Sequence, residues 1–238
     1  MSFWMFDLGN TRLKWAALDA DGGVGEVTAV ACDRDDWLAG LPQGEVVCVA
    51  SVASLERTIA LLLALAQRFR RLHRVRTEPT LGPLRIAYPR PEHLGVDRFL
   101  AMLGLCGREP LLVVGVGTAL TVDLVDATGR HLGGRIAPAP ELMRASLHAR
   151  APHLPETGGR YAAFADDTDH ALASGCEGAA LALVEQSLRQ AQERLGVAPA
   201  LCLHGGGAQP LRARLPEHRW VPDAVLNGLA RWRALRLG

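Results

Sequence analysis

Apolar and polar residues follow the same order of patterns twice along the chain. Near the start, a short apolar run, Phe3–Phe6, leads into a polar turn and a second apolar run that ends at Leu18. Such spacing predicts two strands joined by a tight turn. The rest of the first half predicts strands ending at Cys32 and covering 46–51 and 74–76. Helices are predicted over 33–41, 55–71 and 99–106.

The second half repeats the beginning of this order. Apolar runs predict a strand, a glycine turn and a strand over 111–126, then strands over 131–136 and 200–204. Helical spacing covers 140–149, 168–195 and 224–235, with a break in the long helix considered near Gly175 or Gly178. Each half therefore has three successive strands followed by alternating helices and strands. This order is typical of an α/β fold, and we expect two domains, 1–108 and 109–238.

Two glycine turns occupy corresponding places in the two halves. The first lies in Asp7-Leu8-Gly9-Asn10-Thr11-Arg12-Leu13-Lys14, and the second follows Gly115. Aligned on the turn, Gly117 matches Gly9, Thr118 matches Asn10, and Gly115 takes the place of Asp7. The second copy therefore lacks the acid.

These turns are candidates for phosphate binding. Glycine lets the backbone approach a phosphate closely, so that N–H groups can donate to its oxygens. A third glycine-rich turn, 205–207, follows another predicted strand. Asp7 could hold Mg²⁺, because hard cations prefer carboxylate oxygens. One such turn would be weak evidence, whereas three in this order favour a phosphate site.

Composition limits the classes of partner and the cellular compartment that we expect. The formal net charge is +1, which argues against nucleic acid or a membrane surface as the main partner. Five scattered cysteines form no Cys-x-x-Cys pair, and this usage favours a reduced, cytoplasmic protein. The longest apolar run, 59–66, is too short to cross a bilayer. The only lysine, Lys14, lies in the first glycine motif, where a phosphate contact and a surface ion pair are equally plausible roles.

Five motifs, in order along the chain, resemble those of type III pantothenate kinases. They are Asp-x-Gly-Asn-Thr-x-x-Lys at 7–14, Gly-Val-Asp-Arg at 95–98, Gly-Thr-Ala at 117–119, Gly-Gly-Arg-Ile-Ala-Pro at 133–138 and Thr-x-x-Ala-Leu-x-x-Gly at 168–175. The resemblance implies the fold of the acetate and sugar kinase, Hsp70 and actin superfamily. That fold has two ribonuclease-H-like domains, with mixed five-stranded sheets flanked by helices and a nucleotide cleft between the domains.

The resemblance also implies a reaction. The family transfers the γ-phosphoryl group of ATP to pantothenate, giving 4'-phosphopantothenate in the first step of coenzyme A biosynthesis. Mg²⁺, a monovalent cation (K⁺ or NH₄⁺) and a homodimer are expected from it. The matching ATP-binding positions are Asp7, Leu8, Gly9, Asn10, Thr11, Arg12, Leu13, Lys14 and Thr118. Those matching the pantothenate pocket are Tyr88, Gly95, Val96, Asp97, Arg98 and Thr168.

Four of these residues have individual roles in the family, and each also has an ordinary structural alternative. Asp97 matches the general base, and the alternative is a carboxylate that only caps the following helix. Arg98 could bind the substrate carboxylate or serve as an ion-pair partner. Tyr88 matches an aromatic substrate contact or is a packed loop residue. Thr168 matches a threonine that contacts pantothenate across the dimer interface, and it would also suit a helix N-cap.

The chain departs from the family pattern at three places. Gly115 stands where an aspartate usually helps to hold the monovalent cation. Pro138-Ala139 replaces Pro-Gly, and His204-Gly205-Gly206 replaces Thr-Gly-Gly. The expected monovalent cation is therefore in doubt, with Asp123 a speculative substitute ligand.

Two rival functions remain open. One is a degenerate kinase homologue with a ligand-binding or regulatory role, which the loss of the acid at Gly115 would favour. The other is a kinase of the same fold that acts on a different small hydroxylated substrate.

Overall fold

The computed structural model describes residues 2–238, which form two compact units. The first comprises the chain up to Gly107, residues 129–131 and residues 223–238. The second comprises residues 108–128 and 132–222. These units differ from the predicted continuous domains, 1–108 and 109–238, in the placement of residues 129–131 and of the last helix.

The first unit is built on a mixed five-stranded sheet. Its order is β3-β2-β1-β4-β5, with β1 and β2 antiparallel, β2 and β3 antiparallel, and the remaining pairs parallel. A small antiparallel hairpin, β6–β7, stands apart from this sheet. The elements are β1 (Phe3–Leu8), β2 (Arg12–Ala17), β3 (Thr28–Ala31), β4 (Gly44–Ser51), α1 (Leu55–Ala66), β5 (Phe69–Arg74), β6 (Thr80–Leu81), β7 (Leu84–Arg85), α2 (Val96–Leu105) and the last helix, Ala224–Leu237.

The second unit repeats this plan. Its sheet order is β10-β9-β8-β11-β12, with β8 and β9 antiparallel and with β11 parallel to both β8 and β12. The elements are β8 (Leu111–Val116), β9 (Ala119–Val125), β10 (His131–Pro138), α3 (Pro140–Arg150), α4 (Thr168–Leu195), β11 (Ala200–His204), α5 (Gln209–Arg212) and β12 (Arg219–Trp220). The final helix, Ala224–Leu237, is α6. The predicted α/β class and the repeated strand-turn-strand beginning are confirmed.

Each sheet buries an apolar face. In the first unit, the ring of Phe6 stacks on that of Trp15 with centroids 5.7 Å apart, and Phe69 meets Phe6 edge-on. In the second unit, β8, β9 and β11 bury a set of Leu and Val side chains against α4. These cores hold the strand ends, and hence the glycine turns, in place.

Three predicted elements were wrong in type or in bounds. The strand predicted over 74–76 lies earlier in the chain, as β5 over Phe69–Arg74. Residues 33–41 form turns rather than a helix. The segment is short for a helix, Gly40 has a φ of 74°, and Arg34 binds Asp36 two positions away, a spacing that does not share a helix face. The helix predicted over 55–71 ends at Ala66, because the chain turns there to place Phe69 in the core as the start of β5.

The long helix α4 has the predicted bounds and no break at Gly175 or Gly178. The side chain of Asp167 accepts a hydrogen bond from the His170 N–H at 2.8 Å and so caps its start. Gly196 ends it with a φ of 73°. Among residues 2–238, no helix is both long enough and apolar enough to cross a membrane.

Candidate active site

The first glycine motif is a tight β-hairpin with an exposed polar tip. The Gly9 N–H donates to the carbonyl oxygen of Arg12 at 3.0 Å, closing the turn between β1 and β2. Asn10 and Thr11 stand exposed at the tip, and the Arg57 guanidinium donates to the Asn10 carbonyl oxygen at 2.7 Å. Arg57 thus stabilises the backbone of the turn, while the side chains of Asn10 and Thr11 face solvent.

Asp7 and Lys14 sit directly opposite each other at the base of this hairpin. The Lys14 Nζ lies 3.6 Å from Oδ1 of Asp223, at the N-cap of α6. Lys14 therefore forms an ion pair, which was one of its two predicted roles. Its partner, Asp223, lies more than 200 positions away in the sequence. The pattern of apolar and polar residues carried no signal for Asp223.

The carboxylate of Asp7 lies in an unfavourable environment for a negative charge. Burial raises its pKa, the nearby charge of Asp97 raises it further, and the charge of Lys14 lowers it in part, so that it reaches about 7. Ordinary aspartates titrate near pH 4. A buried carboxylate with a second carboxylate near it favours a cation, because a positive charge stabilises its ionised form.

Asp97 lies in the first turn of α2, whose N-cap is Gly95. Its Oδ1 accepts a hydrogen bond from the Arg98 N–H at 2.8 Å. The carboxylate also folds back over Gly95, where an added Cβ would lie 2.6 Å from the same oxygen. Asp97 therefore contributes to the first turn without being the N-cap residue, and any larger residue at 95 would displace it.

Arg98, Tyr88 and His131 form a cluster beside this turn. Arg98 is 5% exposed, and its Nη1 donates a long hydrogen bond, 3.4 Å, to the hydroxyl of Tyr88. The Tyr88 ring stacks on His131 at 6.0 Å between centroids, and His131 Nδ1 accepts from the Ala87 N–H. The structure thus brings Tyr88 and Arg98 together, and it adds His131, which the sequence reasoning missed. Val96 is buried in the core.

In the second unit, the corresponding glycine turn is also open. The Gly117 N–H donates to the Ala119 carbonyl oxygen at 2.9 Å, Thr118 is exposed, and an added Cβ at Gly117 would meet nothing within 4 Å. The third turn differs. Gly205 has a φ of 94°, and a Cβ there would lie 2.3 Å from the Val116 carbonyl oxygen, so only glycine fits.

Thr168 is the first residue of α4 and is exposed. The N-cap role considered for it belongs instead to Asp167. Hydrogen bonds from the backbone and ring of His170 lower the pKa of Asp167. The Thr168 side chain is therefore not needed to cap its own helix.

Solved structures with this architecture place the fold in a known class. A Campylobacter jejuni protein provisionally assigned to the Baf family of transcriptional activators superimposes with a TM-score of 0.67 at 20% identity, covering 97% of each chain. An archaeal actin homologue superimposes with a TM-score of 0.51 at 12% identity, covering 98% of this chain and 99% of that one. The fold is that of the actin-like ATPases and sugar kinases.

Sequence comparison is more specific than the fold. A family model described as type III pantothenate kinase matches residues 3–190. The type III pantothenate kinase of Stenotrophomonas maltophilia strain R551-3 is 53% identical over 238 residues, which covers 98% of this chain and 97% of that protein. The chain belongs to the type III pantothenate kinase family.

Proposed function

We propose that this chain transfers the γ-phosphoryl group of ATP to the primary hydroxyl of pantothenate, giving 4'-phosphopantothenate in the first step of coenzyme A biosynthesis. Family membership over nearly the whole chain supports the reaction. The observation that carries it in the structure is the first turn of α2, where the N–H of the buried Arg98 donates to Oδ1 of Asp97 at 2.8 Å. No observation on the described residues favours a non-catalytic role.

Asp97 is the proposed general base. The substrate hydroxyl must lose its proton as its oxygen bonds to phosphorus, and a carboxylate held in place can accept that proton. The hydrogen bond from the Arg98 N–H fixes one oxygen of Asp97. Its position at the start of α2 also favours the charged form, because the helix dipole is positive there.

Arg98 and Tyr88 are the proposed contacts for pantothenate, together with Gly95 and Val96. A planar guanidinium can bind a carboxylate with two parallel hydrogen bonds, and burial strengthens such bonds. Stacking on His131 fixes the Tyr88 ring, and the Tyr88 hydroxyl in turn orients the guanidinium. Since Val96 is buried, its contribution would come through its backbone rather than its side chain.

In each unit, the open glycine turn is the proposed contact for ATP phosphates. Asn10, Thr11 and Thr118 are exposed donors on these turns, and the open space beyond Gly117 leaves room for phosphate oxygens. The remaining positions of the first motif, Leu8 to Lys14, form the hairpin that presents these donors.

The residues present fit a magnesium ion brought in with the nucleotide. Within residues 2–238, no group of three or more His, Cys, Asp or Glu side chains could form a metal site by itself. Mg²⁺ commonly takes one or two protein carboxylates together with phosphate oxygens and water, and Asp7 would supply the carboxylate. When bound, the ion neutralises charge on the phosphates, and its charge would also stabilise ionised Asp7 beside Asp97.

We infer a cytoplasmic homodimer whose partners are small molecules rather than nucleic acid or membrane. The second unit exposes large apolar side chains on β10, α3 and the following loop, among them Ile136, Leu147 and the fully exposed Phe164. An apolar surface of this kind is typical of an interface, and Thr168 follows the same loop. All five cysteines are buried and none forms a disulfide, which suits a reducing compartment.

A coupled assay of ADP release tests the proposal. The purified chain with ATP, Mg²⁺ and pantothenate should turn over, and omission of pantothenate should abolish the signal. A panel of other small hydroxylated acids and sugars distinguishes a pantothenate kinase from a kinase with a different substrate. If neither pantothenate nor any compound of the panel is phosphorylated, the proposed function is wrong.

A further inference from the structure

Gly115 lies in the middle of the second sheet, between two polar side chains from neighbouring strands. The strand register pairs it with Thr121 on β9 and with His204 on β11. An added Cβ at 115 would lie 2.7 Å from His204 Nε2 and 2.8 Å from Thr121 Oγ1. The imidazole and the hydroxyl therefore occupy the space that a side chain at 115 would need.

This arrangement does not fit the monovalent cation that the family resemblance implies. A K⁺ or NH₄⁺ site requires acceptor oxygens and room, and carboxylate or carbonyl oxygens suit hard cations. Here the expected carboxylate is missing, and a ring nitrogen lies against the glycine. A neutral imidazole offers one lone pair, and a protonated one offers none.

Asp123 does not replace the missing acid. It is 2% exposed on β9 and lies opposite Val113, two residues from the Gly115 pairing with Thr121. Two residues along a strand span about 7 Å. The three atoms nearest to an added Cβ at position 115 belong to His204 and Thr121, so Asp123 does not occupy the place where the missing carboxylate would begin.

We propose that His204 and Gly115 form a matched pair that takes the place of the monovalent-cation site, so that this kinase needs neither K⁺ nor NH₄⁺. The inference rests on the proposed function for its catalytic part and on the strand register for its structural part. His204 acts as a positioning residue. Its imidazole fills the space beside Gly115 on β8, where the side chain of the family's aspartate would begin.

Turnover in different salts tests the catalytic part. At constant ionic strength, replacing choline chloride with potassium or ammonium chloride should change kcat and KM by less than about threefold. A larger increase with K⁺ or NH₄⁺ but not with Na⁺ would overturn the proposal. The unfolding temperature of the unliganded chain, measured in the same salts, needs no turnover and should show no K⁺-specific rise. Absence of turnover in every salt would contradict the proposed function, while the unfolding data would still decide the ion question.

Variants test the pairing itself. Gly115→Ala should lower the unfolding temperature, because its Cβ forces His204 to move. Combining it with His204→Ala should recover at least half of that loss. As a control, Gly178→Ala has only Tyr161 Cε2 nearby, at 3.9 Å, and its effect should simply add to that of His204→Ala. Additive effects of Gly115→Ala and His204→Ala would overturn the matched pair.

A second pair of variants tests whether ion binding can be restored. Gly115→Asp/His204→Thr should acquire a K⁺-specific rise in unfolding temperature that neither single variant shows. The same rise in Gly115→Asp alone would mean that His204 does not block the site, and it would overturn the proposal.

Discussion

The charge of Asp97 raises the pKa of Asp7, although the two residues are 90 positions apart. Asp7 is the second-last residue of a central strand and Asp97 is the second residue of α2, and the first unit brings the two carboxylates close enough to interact. Burial makes the larger contribution and moves the pKa of Asp7 to about 7. The stability of the unliganded protein should therefore depend on the proton at Asp7.

We expect Asp7→Asn to stabilise the unliganded chain at pH 8 more than at pH 5. Between pH 4 and 7 the folded state keeps a proton that the unfolded state has released, so the free energy of unfolding falls as pH rises through this range. At pH 8 the variant should be more stable by about 2 kcal/mol, roughly half of the unscreened value for such a shift. Chemical denaturation at both pH values measures the difference. An equal gain at pH 5 and pH 8 would contradict the assignment.

Asp97→Asn should lower kcat by about 10²–10⁴-fold, the usual contribution of a general base. ATP affinity should stay within a few-fold of wild type, since the amide preserves the shape of the side chain. Single-turnover kinetics and equilibrium nucleotide binding measure the two quantities. A near-normal kcat would exclude Asp97 as the base and leave it a role in the first turn of α2.

Arg98→Lys should raise the KM for pantothenate by about 10–100-fold, because lysine keeps the charge but loses the planar pair of donors. The KM for ATP should not change. Tyr88→Phe is the matched variant. It keeps the ring that stacks on His131 and removes only the hydroxyl that Arg98 contacts, so its effect should be about 2–10-fold. Equal changes in both KM values would indicate a general loss of structure rather than a substrate contact.

Gly228→Ala should destabilise the first unit by about 3 kcal/mol through overpacking. An added Cβ on α6 would lie 2.0 Å from the carbonyl oxygen of Leu100 on α2, and backbone atoms cannot rotate away. Gly178→Ala is the control, since it lies in the open interior of α4 and should stabilise that helix by up to about 1 kcal/mol. Thermal unfolding compares them. If both variants have similar stability, α2 and α6 do not pack as closely as described.

Local features of this fold could be read from the order of residues, whereas contacts between distant strands could not. The bounds of α4 follow from helical spacing, from Asp167 at its start and from Gly196 at its end. The helix expected over 33–41 failed because the segment is short for a helix and takes the turn that its own side chains favour.

In the candidate site too, single motifs could be predicted from the sequence, whereas contacts between distant segments could not. Asp7, Asp97 and the glycine turns are recognisable by motif. The sequence also shows that Gly115 and His204 both depart from the family pattern. Their adjacency depends on the register of β8 and β11, which joins residues 89 positions apart. The partner of Lys14, Asp223, comes from the last helix and has no local signal.

Direct identification of the product is the measurement that tests the central claim most directly. The purified chain should convert pantothenate, ATP and Mg²⁺ into a compound whose mass has increased by one phosphate group, and ³¹P and proton NMR should place that group on the primary hydroxyl. Asp97→Asn should give almost none under the same conditions while still binding ATP. Phosphorylation at another oxygen, ATP hydrolysis without transfer, or equal product from wild type and Asp97→Asn would contradict the account.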